Sequence, residues 1–220
     1  MQNLDVQSII TKTADYVRQE LEGEGSGHDW WHIKQVWEMA RRLSNGENVN
    51  LMVVELAALL HDIADHKFHG GDDTVGPKVA RAWLESIQAE EPVIADVCEI
   101  IKDLSYKGAG VETPMRTLEG EIVQDADRLN AIGAIGIARA FAYGGYKKRE
   151  LYNPDKPPVL HSSFTAYKND KGSTINHFYE KLFLLKDRLN TAAAKEIAEK
   201  RHQFMETFVQ QFLEEWEVNS

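Results

Sequence analysis

The sequence predicts an all-α protein, and two observations predict it. Nearly every segment with a clear hydrophobic period repeats at the helical interval, and no run of strand-like alternation flanked by turns is found. Helix punctuation agrees, with Pro77 and Pro92 in first turns and Asp29, Asn50 and Thr191 in positions suited to capping. A chain of 220 residues fits one compact domain with its own core, so a single-domain helical bundle is expected.

The elements follow in order. Ile10, Ala14, Val17 and Leu21 mark a first helix that the Gly23, Gly25 and Gly27 cluster ends. A second helix starts near Asp29 and runs to about Leu43. From Asn50, the run LMVVELAALLHDIA is apolar on most sides, as suits a helix at the centre of a bundle. Two amphipathic helices come next, one carrying Val79, Ala80, Trp83, Leu84 and Ile87, the other Val93, Val97, Ile100 and Leu104. Thr117 precedes a helix through Ile122, Ala126 and Leu129 that continues toward Phe141, with a break near Gly133 or Gly136.

Between about Ala142 and Thr174 the pattern lapses into a stretch rich in Gly, Pro and Lys, read as a lid at about 142–173. Helices over 174–217 close the chain, and the last carries a stripe of Ile197, Arg201, Phe204, Phe208, Phe212 and Trp216. The aromatic part of that stripe, Phe204 to Trp216, is expected to be packing.

Composition narrows function. The balance of 25 basic to 35 acidic residues gives a net charge of −10, which implies no basic face for duplex nucleic acid or an anionic membrane. A polyanionic ligand would need local cations or a bound metal to be held. The one cysteine, Cys98, lies in an apolar stretch and reads as a core residue. With no apolar run approaching a membrane span and no leader-like start, a cytoplasmic location is expected. The sequence leaves a homodimer open.

The chemistry-bearing residues are histidines beside carboxylates, in GHDWWHIKQV at 27–36, LLHDIADHKF at 59–68 and VQDADRLNAIG at 123–133. Imidazole and carboxylate donors suit a borderline or hard divalent ion, and a chain with one cysteine argues against a thiolate site. Facing helices of a bundle are a common place to assemble such ligands. An aspartate within the most apolar helix is costly to bury unless a cation or hydrogen bonds compensate it, and a metal beside His61 and Asp62 would do so. The alternative reading makes the dipeptide a helix end, with His61 capping carbonyls and Asp62 opening a loop toward Gly70 and Gly71.

These three segments resemble the H…HD…D pattern of the HD-domain metal-dependent phosphohydrolases over roughly residues 25–140. The fuller strings GHDWWHIKQVW, ELAALLHDIADHKF and IVQDADRLNAIGAIGIARAF resemble the bacterial subgroup containing nucleoside-triphosphate pyrophosphohydrolases. With HFYEKLFLLKDRLNT, that resemblance reaches almost the whole chain.

The resemblance implies a metal site of His32, His61, Asp62 and Asp127, with His32 preferred to His28 because Val36 follows it, and Asp127 preferred to Asp125. It further implies a water-orienting or proton-transferring role for Asp65, for which a solvated loop carboxylate is the alternative. One divalent ion is expected, Mn²⁺ foremost, with Mg²⁺, Co²⁺, Ni²⁺, Fe²⁺ or Zn²⁺ as substitutes. Lys107, Arg128 and Lys181 are the candidates for gripping phosphate, and His28 and Asp29 for bracing the ligands. Trp30 and Trp31 read as core, with stacking on a nucleobase as the alternative.

The activity so implied is hydrolysis of a (deoxy)nucleoside triphosphate to monophosphate and pyrophosphate. A nucleotidase acting on a monophosphate is the nearest alternative, and a non-catalytic nucleotide or metal sensor is the next. A redox-active dinuclear oxygenase would ask for more ligands than these motifs provide.

Overall fold

The computed structural model describes residues 6–23, 25, 27–64, 74–163, 165–166 and 172–217. Among them the fold is all-α, with no strand. In chain order the helices are α1 (Val6–Glu20), α2 (Trp30–Leu43), α3 (Leu51–Leu60), α4 (Val75–Ser86), α5 (Glu91–Asp103), α6 (Leu118–Asn130), α7 (Gly133–Tyr146), α8 (Thr174–Glu180) and α9 (Ala192–Trp216). A 3₁₀ helix at Leu182–Arg188 lies between the last two.

The chain groups into two compact units. The first comprises Met1–Glu24, His28–Ser105 and Thr113–Ala126; the second comprises Gly25–Gly27, Tyr106–Glu112 and Asp127–Ser220. Helix α6 is continuous through the change of unit after Ala126.

In the first unit α3 is central, with α1, α2 and α5 packed on it and α4 packed on α5. Seven of the ten α3 residues are buried, so the apolar run does become a helix enclosed on most sides. It ends at Leu60, earlier than the run itself, with His61 at the C-cap. The Asp29 cap of α2 forms as expected, its side chain accepting from the His32 N–H at 3.0 Å. Asn50 occupies the N-cap of α3 without a side-chain cap bond; its own N–H donates to Glu119 Oε1 at 2.8 Å. Trp83 stacks on Tyr16 at 3.9 Å and donates to Thr13 Oγ1, joining α4 to α1.

In the second unit α9 packs on α7 and the 3₁₀ helix, while α8 packs on α7 and the 3₁₀ helix. The break expected after α6 occurs at Gly133, where φ is +78°. Arg201 packs there and donates a hydrogen bond to the Leu129 carbonyl at the end of α6. Phe141, Phe178, Phe208 and Phe212 form an aromatic cluster, the Phe141–Phe208 rings meeting edge-on at 5.9 Å.

Several expectations need correction. The face of α9 that is buried carries Ala194, Ala198, His202, Met205 and Val209, whereas Phe204 is 52% exposed. Phe204 therefore drops out of the packing stripe; the 25-residue helix is long enough for one-residue phase error to matter. Trp31, expected in the core, is 61% exposed, because α2 turns His32, Ile33 and Val36 inward. Cys98 is half-buried, its thiol near the Pro77 carbonyl, and burial pushes its pKa up.

The irregular stretch also begins later than expected, since α7 continues to Tyr146. Its described part is strapped to α8: Thr174 and Ile175 N–H donate to the carbonyls of Glu150 and Leu151, and the Val159 N–H donates to Glu180 Oε1.

Candidate metal centre

Helix α3 delivers His61 at its C-cap and Asp62 immediately after it. The His61 Nδ1 lies 2.8 Å from the Ala58 carbonyl oxygen, which can only accept. Nδ1 therefore carries the proton, and Nε2 presents its lone pair away from the helix. His61 thus meets a helix carbonyl with one nitrogen, as one of the two readings of the sequence expects, and turns the other toward His32.

Helix α2 delivers His32 in its first turn, held by the Asp29 cap. Both imidazoles are buried, and their Nε2 atoms face one another at 3.2 Å. Asp62 Oδ2 lies 3.3 Å from His32 Nε2 and 3.6 Å from His61 Nε2. Helix α6 carries Asp127, half-buried, and one ligand atom each from His32, His61 and Asp127 lie within 4.8 Å of one another. His28 packs edge-on to His32 at 6.0 Å between ring centroids.

The donor set fits a divalent cation. Two imidazole nitrogens and one oxygen of Asp127 converge within 4.8 Å, and the Asp62 carboxylate, which lies against both imidazoles, is not part of that mutually close set. The mixture of nitrogen and oxygen donors suits Mn²⁺, Fe²⁺, Co²⁺ or Zn²⁺. Asp125, the residue passed over in favour of Asp127, is fully buried in α6. Asp65 lies outside the described residues, as do His66 and His69.

The second unit gathers the phosphate-gripping candidates. Tyr106 is buried and its hydroxyl donates to the Glu180 carbonyl at 3.1 Å. Lys181 Nζ lies 5.4 Å from the Tyr106 ring centroid and Arg188 Cζ lies 5.0 Å from it. Arg188 also donates to the carbonyls of Gly108, Ala109 and Val111, and its own carbonyl accepts from Arg128 Nη1. Burial pushes the Tyr106 pKa up, against the opposing pull of Arg188 and Arg128.

Arg128 and Lys181 are thus brought into one locality. Lys107 is half-buried in the adjoining turn, without a contact that singles it out. Arg188 and Tyr106 were not identified from sequence. An Arg in KDRL and a Tyr in SYKG carry no spacing signal, and only the fold brings them together.

The HD domain model matches residues 30–132, a span that contains His32, His61, Asp62 and Asp127. YpgQ of Bacillus subtilis (strain 168) is 39% identical over 200 residues, covering 89% of this chain and 88% of YpgQ. This chain belongs to the HD-domain family.

Solved HD-domain relatives share the architecture at nearly full length. The crystal structure of an HD-superfamily hydrolase from Bacillus thuringiensis is 45% identical with a TM-score of 0.71, covering 96% of this chain and 98% of that one. The crystal structure of B. subtilis YpgQ in complex with ADP is 36% identical with a TM-score of 0.69, covering 92% of this chain and 97% of that one. The all-α HD-type fold expected from the motif strings is therefore the fold observed.

Proposed function

We propose that this HD-domain protein is a metal-dependent phosphohydrolase that cleaves (deoxy)nucleoside triphosphates to the monophosphate and pyrophosphate. The observation that carries the reading is the convergence of His32, His61 and Asp127 within 4.8 Å, with the Asp62 carboxylate against both imidazoles. The ADP bound to the related YpgQ supports a nucleotide as the substrate class.

His32, His61, Asp62 and Asp127 would hold one divalent ion, Mn²⁺ foremost. When bound, such an ion lowers the pKa of water and offsets charge on phosphoryl oxygens. The protein's own contribution is positioning. The Ala58 carbonyl fixes the His61 tautomer, the Asp29 cap fixes the start of α2 and with it His32, and His28 packs against the His32 ring. Asp65, three residues after Asp62, takes the proton from the attacking water. Lys107, Arg128 and Lys181 hold phosphate oxygens, local cations in a chain whose net charge is −10.

The test is a panel of ribo- and deoxynucleoside mono-, di- and triphosphates with each of several divalent ions, followed by product identification. Pyrophosphate release from triphosphates is expected. Orthophosphate release from monophosphates would replace this reading with a nucleotidase, and nucleotide binding without any product would replace it with a sensor.

A further inference from the structure

One alternative open in the sequence, stacking of Trp30 and Trp31 on a nucleobase, is not used by the metal chemistry. The first unit offers a place for it. Where α1 ends and α2 begins there is a cleft of about 480 Å³, within the range of roughly 300–1,000 Å³ in which small molecules bind. It is lined from α2 by Trp30 and Trp31, and from α1 and the turn after it by Asp15, Arg18, Gln19 and Glu22. Trp31 is 61% exposed, with Lys34 Nζ 5.8 Å from its ring centroid, so most of a large flat apolar side chain is left in water at the cleft. Arg18 stands three residues after Asp15 and four before Glu22, spacings that suit ion pairs on a helix, yet among the described residues it pairs with neither.

Charge decides what such a cleft can hold. Asp15, Glu22 and Asp29 are three carboxylates against the guanidinium of Arg18, which repels a phosphate chain. Arg18 in turn repels an alkylammonium or a second guanidinium. A neutral flat ring with donors and acceptors on its edge satisfies both signs. Indole faces stack on it, carboxylates accept from its amino group, and Arg18 and Gln19 donate to its ring nitrogen or carbonyl. A nucleobase bearing an exocyclic amine has that pattern. The cleft is also tied to the metal centre: Asp29 lines it and accepts from the His32 N–H at 3.0 Å, and Trp31 directly precedes His32.

We propose that this cleft is a nucleobase subsite, selective for amino-bearing bases such as adenine and cytosine over their oxo counterparts, and that it seats the base of the substrate nucleotide. Trp31 supplies the stacking face, Asp15 and Glu22 read the amino group, and the phosphates stay outside the acidic walls. The assignment to substrate rests on the phosphohydrolase reading; base recognition by the cleft requires neither metal nor turnover.

The test uses full-length protein freed of metal by a chelator, and calorimetric titration with nucleosides, which carry no phosphate. Two matched pairs are compared, adenosine with inosine and cytidine with uridine, each differing by an amino group replaced with oxo. The amino member is expected to bind at least about fivefold more tightly in both pairs. Trp31→Ala is expected to weaken adenosine binding roughly tenfold, the effect of losing one base–aromatic stack, while Trp31→Phe keeps most of it. Asp15→Asn combined with Glu22→Gln is expected to abolish the preference within each pair, because an amide donates as well as accepts. These positions are exposed, and circular dichroism checks the fold of each variant. With a divalent ion present, Trp31→Ala is expected to raise the KM for an adenine triphosphate about tenfold, with a smaller effect on kcat.

No nucleoside binding by the wild type, equal binding within the pairs, or unchanged binding by Trp31→Ala would overturn the subsite. An unchanged KM in a hydrolysing Trp31→Ala enzyme would overturn its assignment to the substrate. The two readings fail separately: a chain that hydrolyses no nucleotide can still prefer adenosine to inosine, and one that hydrolyses them can bind no nucleoside here.

Discussion

Truncating Leu56 to alanine tests whether α3 is the central support of the first unit, because its side chain is 0% exposed and the helix carries His61 and Asp62 at its end. A leucine removed from a filled interior loses its transfer free energy and leaves a cavity that neighbours only partly close, at a cost of about 3 kcal/mol. For a chain of 220 residues that corresponds to a melting temperature lower by about 6–12 °C. The control is Leu51→Ala, the same chemical change in the same helix at a side chain 44% exposed. There alanine's helix propensity offsets part of the lost burial, and the cost should stay below about 1 kcal/mol. Both variants would be compared with wild type by urea denaturation followed by far-ultraviolet circular dichroism, in the presence of a chelator so that metal binding does not mask the difference. Equal losses for the two variants, or a Leu56→Ala cost within about 0.5 kcal/mol of zero, would refute the packing argument.

Other outcomes follow from single residues. Thr191→Ala removes the side-chain acceptor for the Ala194 N–H at the start of α9 and should cost about 1 kcal/mol in thermal denaturation; Thr191→Ser should restore most of it. The Tyr106 hydroxyl, with its pKa raised by burial, should ionise above the ordinary tyrosine range in an ultraviolet titration read as the difference between wild type and Tyr106→Phe. The folded chain keeps that proton after the unfolded chain has lost it. The stabilising contribution is therefore intact below the unfolded pKa, about 10, and declines as pH rises through the folded value. Asp65→Asn should lower kcat by about 10²–10⁴ with little change in KM; an unaltered kcat would return Asp65 to an ordinary loop carboxylate.

The sequence disclosed the parts of this fold that depend on local pattern. Asp29 and Thr191 cap the helices they precede, Gly133 makes the break after α6, and the apolar run after Asn50 becomes the buried α3. Such features depend on a few neighbouring residues and on period. The metal-centre candidates were legible for a different reason: His32, His61 and Asp127 lie in strings that resemble a family, and their convergence is a property of the fold that family shares.

What stayed hidden depends on rotation and on distant partners. Trp31 and Phe204 are apolar residues at helical spacing, yet they face away from the core, and an apolar residue does not reveal which way its helix is turned. Asn50 takes the N-cap position without a side-chain cap bond, and its own N–H donates to Glu119, a partner distant in sequence. Arg188 carried no local signal, since its role arises from the 108–111 turn, far away in sequence.

The most direct test of the central claim is to measure bound metal and pyrophosphate release together, in Mn²⁺-loaded wild type and in Asp62→Ala. Expected are one ion per wild-type chain, pyrophosphate from a deoxynucleoside triphosphate only when the ion is present, and loss of both in the variant. Undiminished hydrolysis by Asp62→Ala, or by wild type stripped of metal, would contradict it.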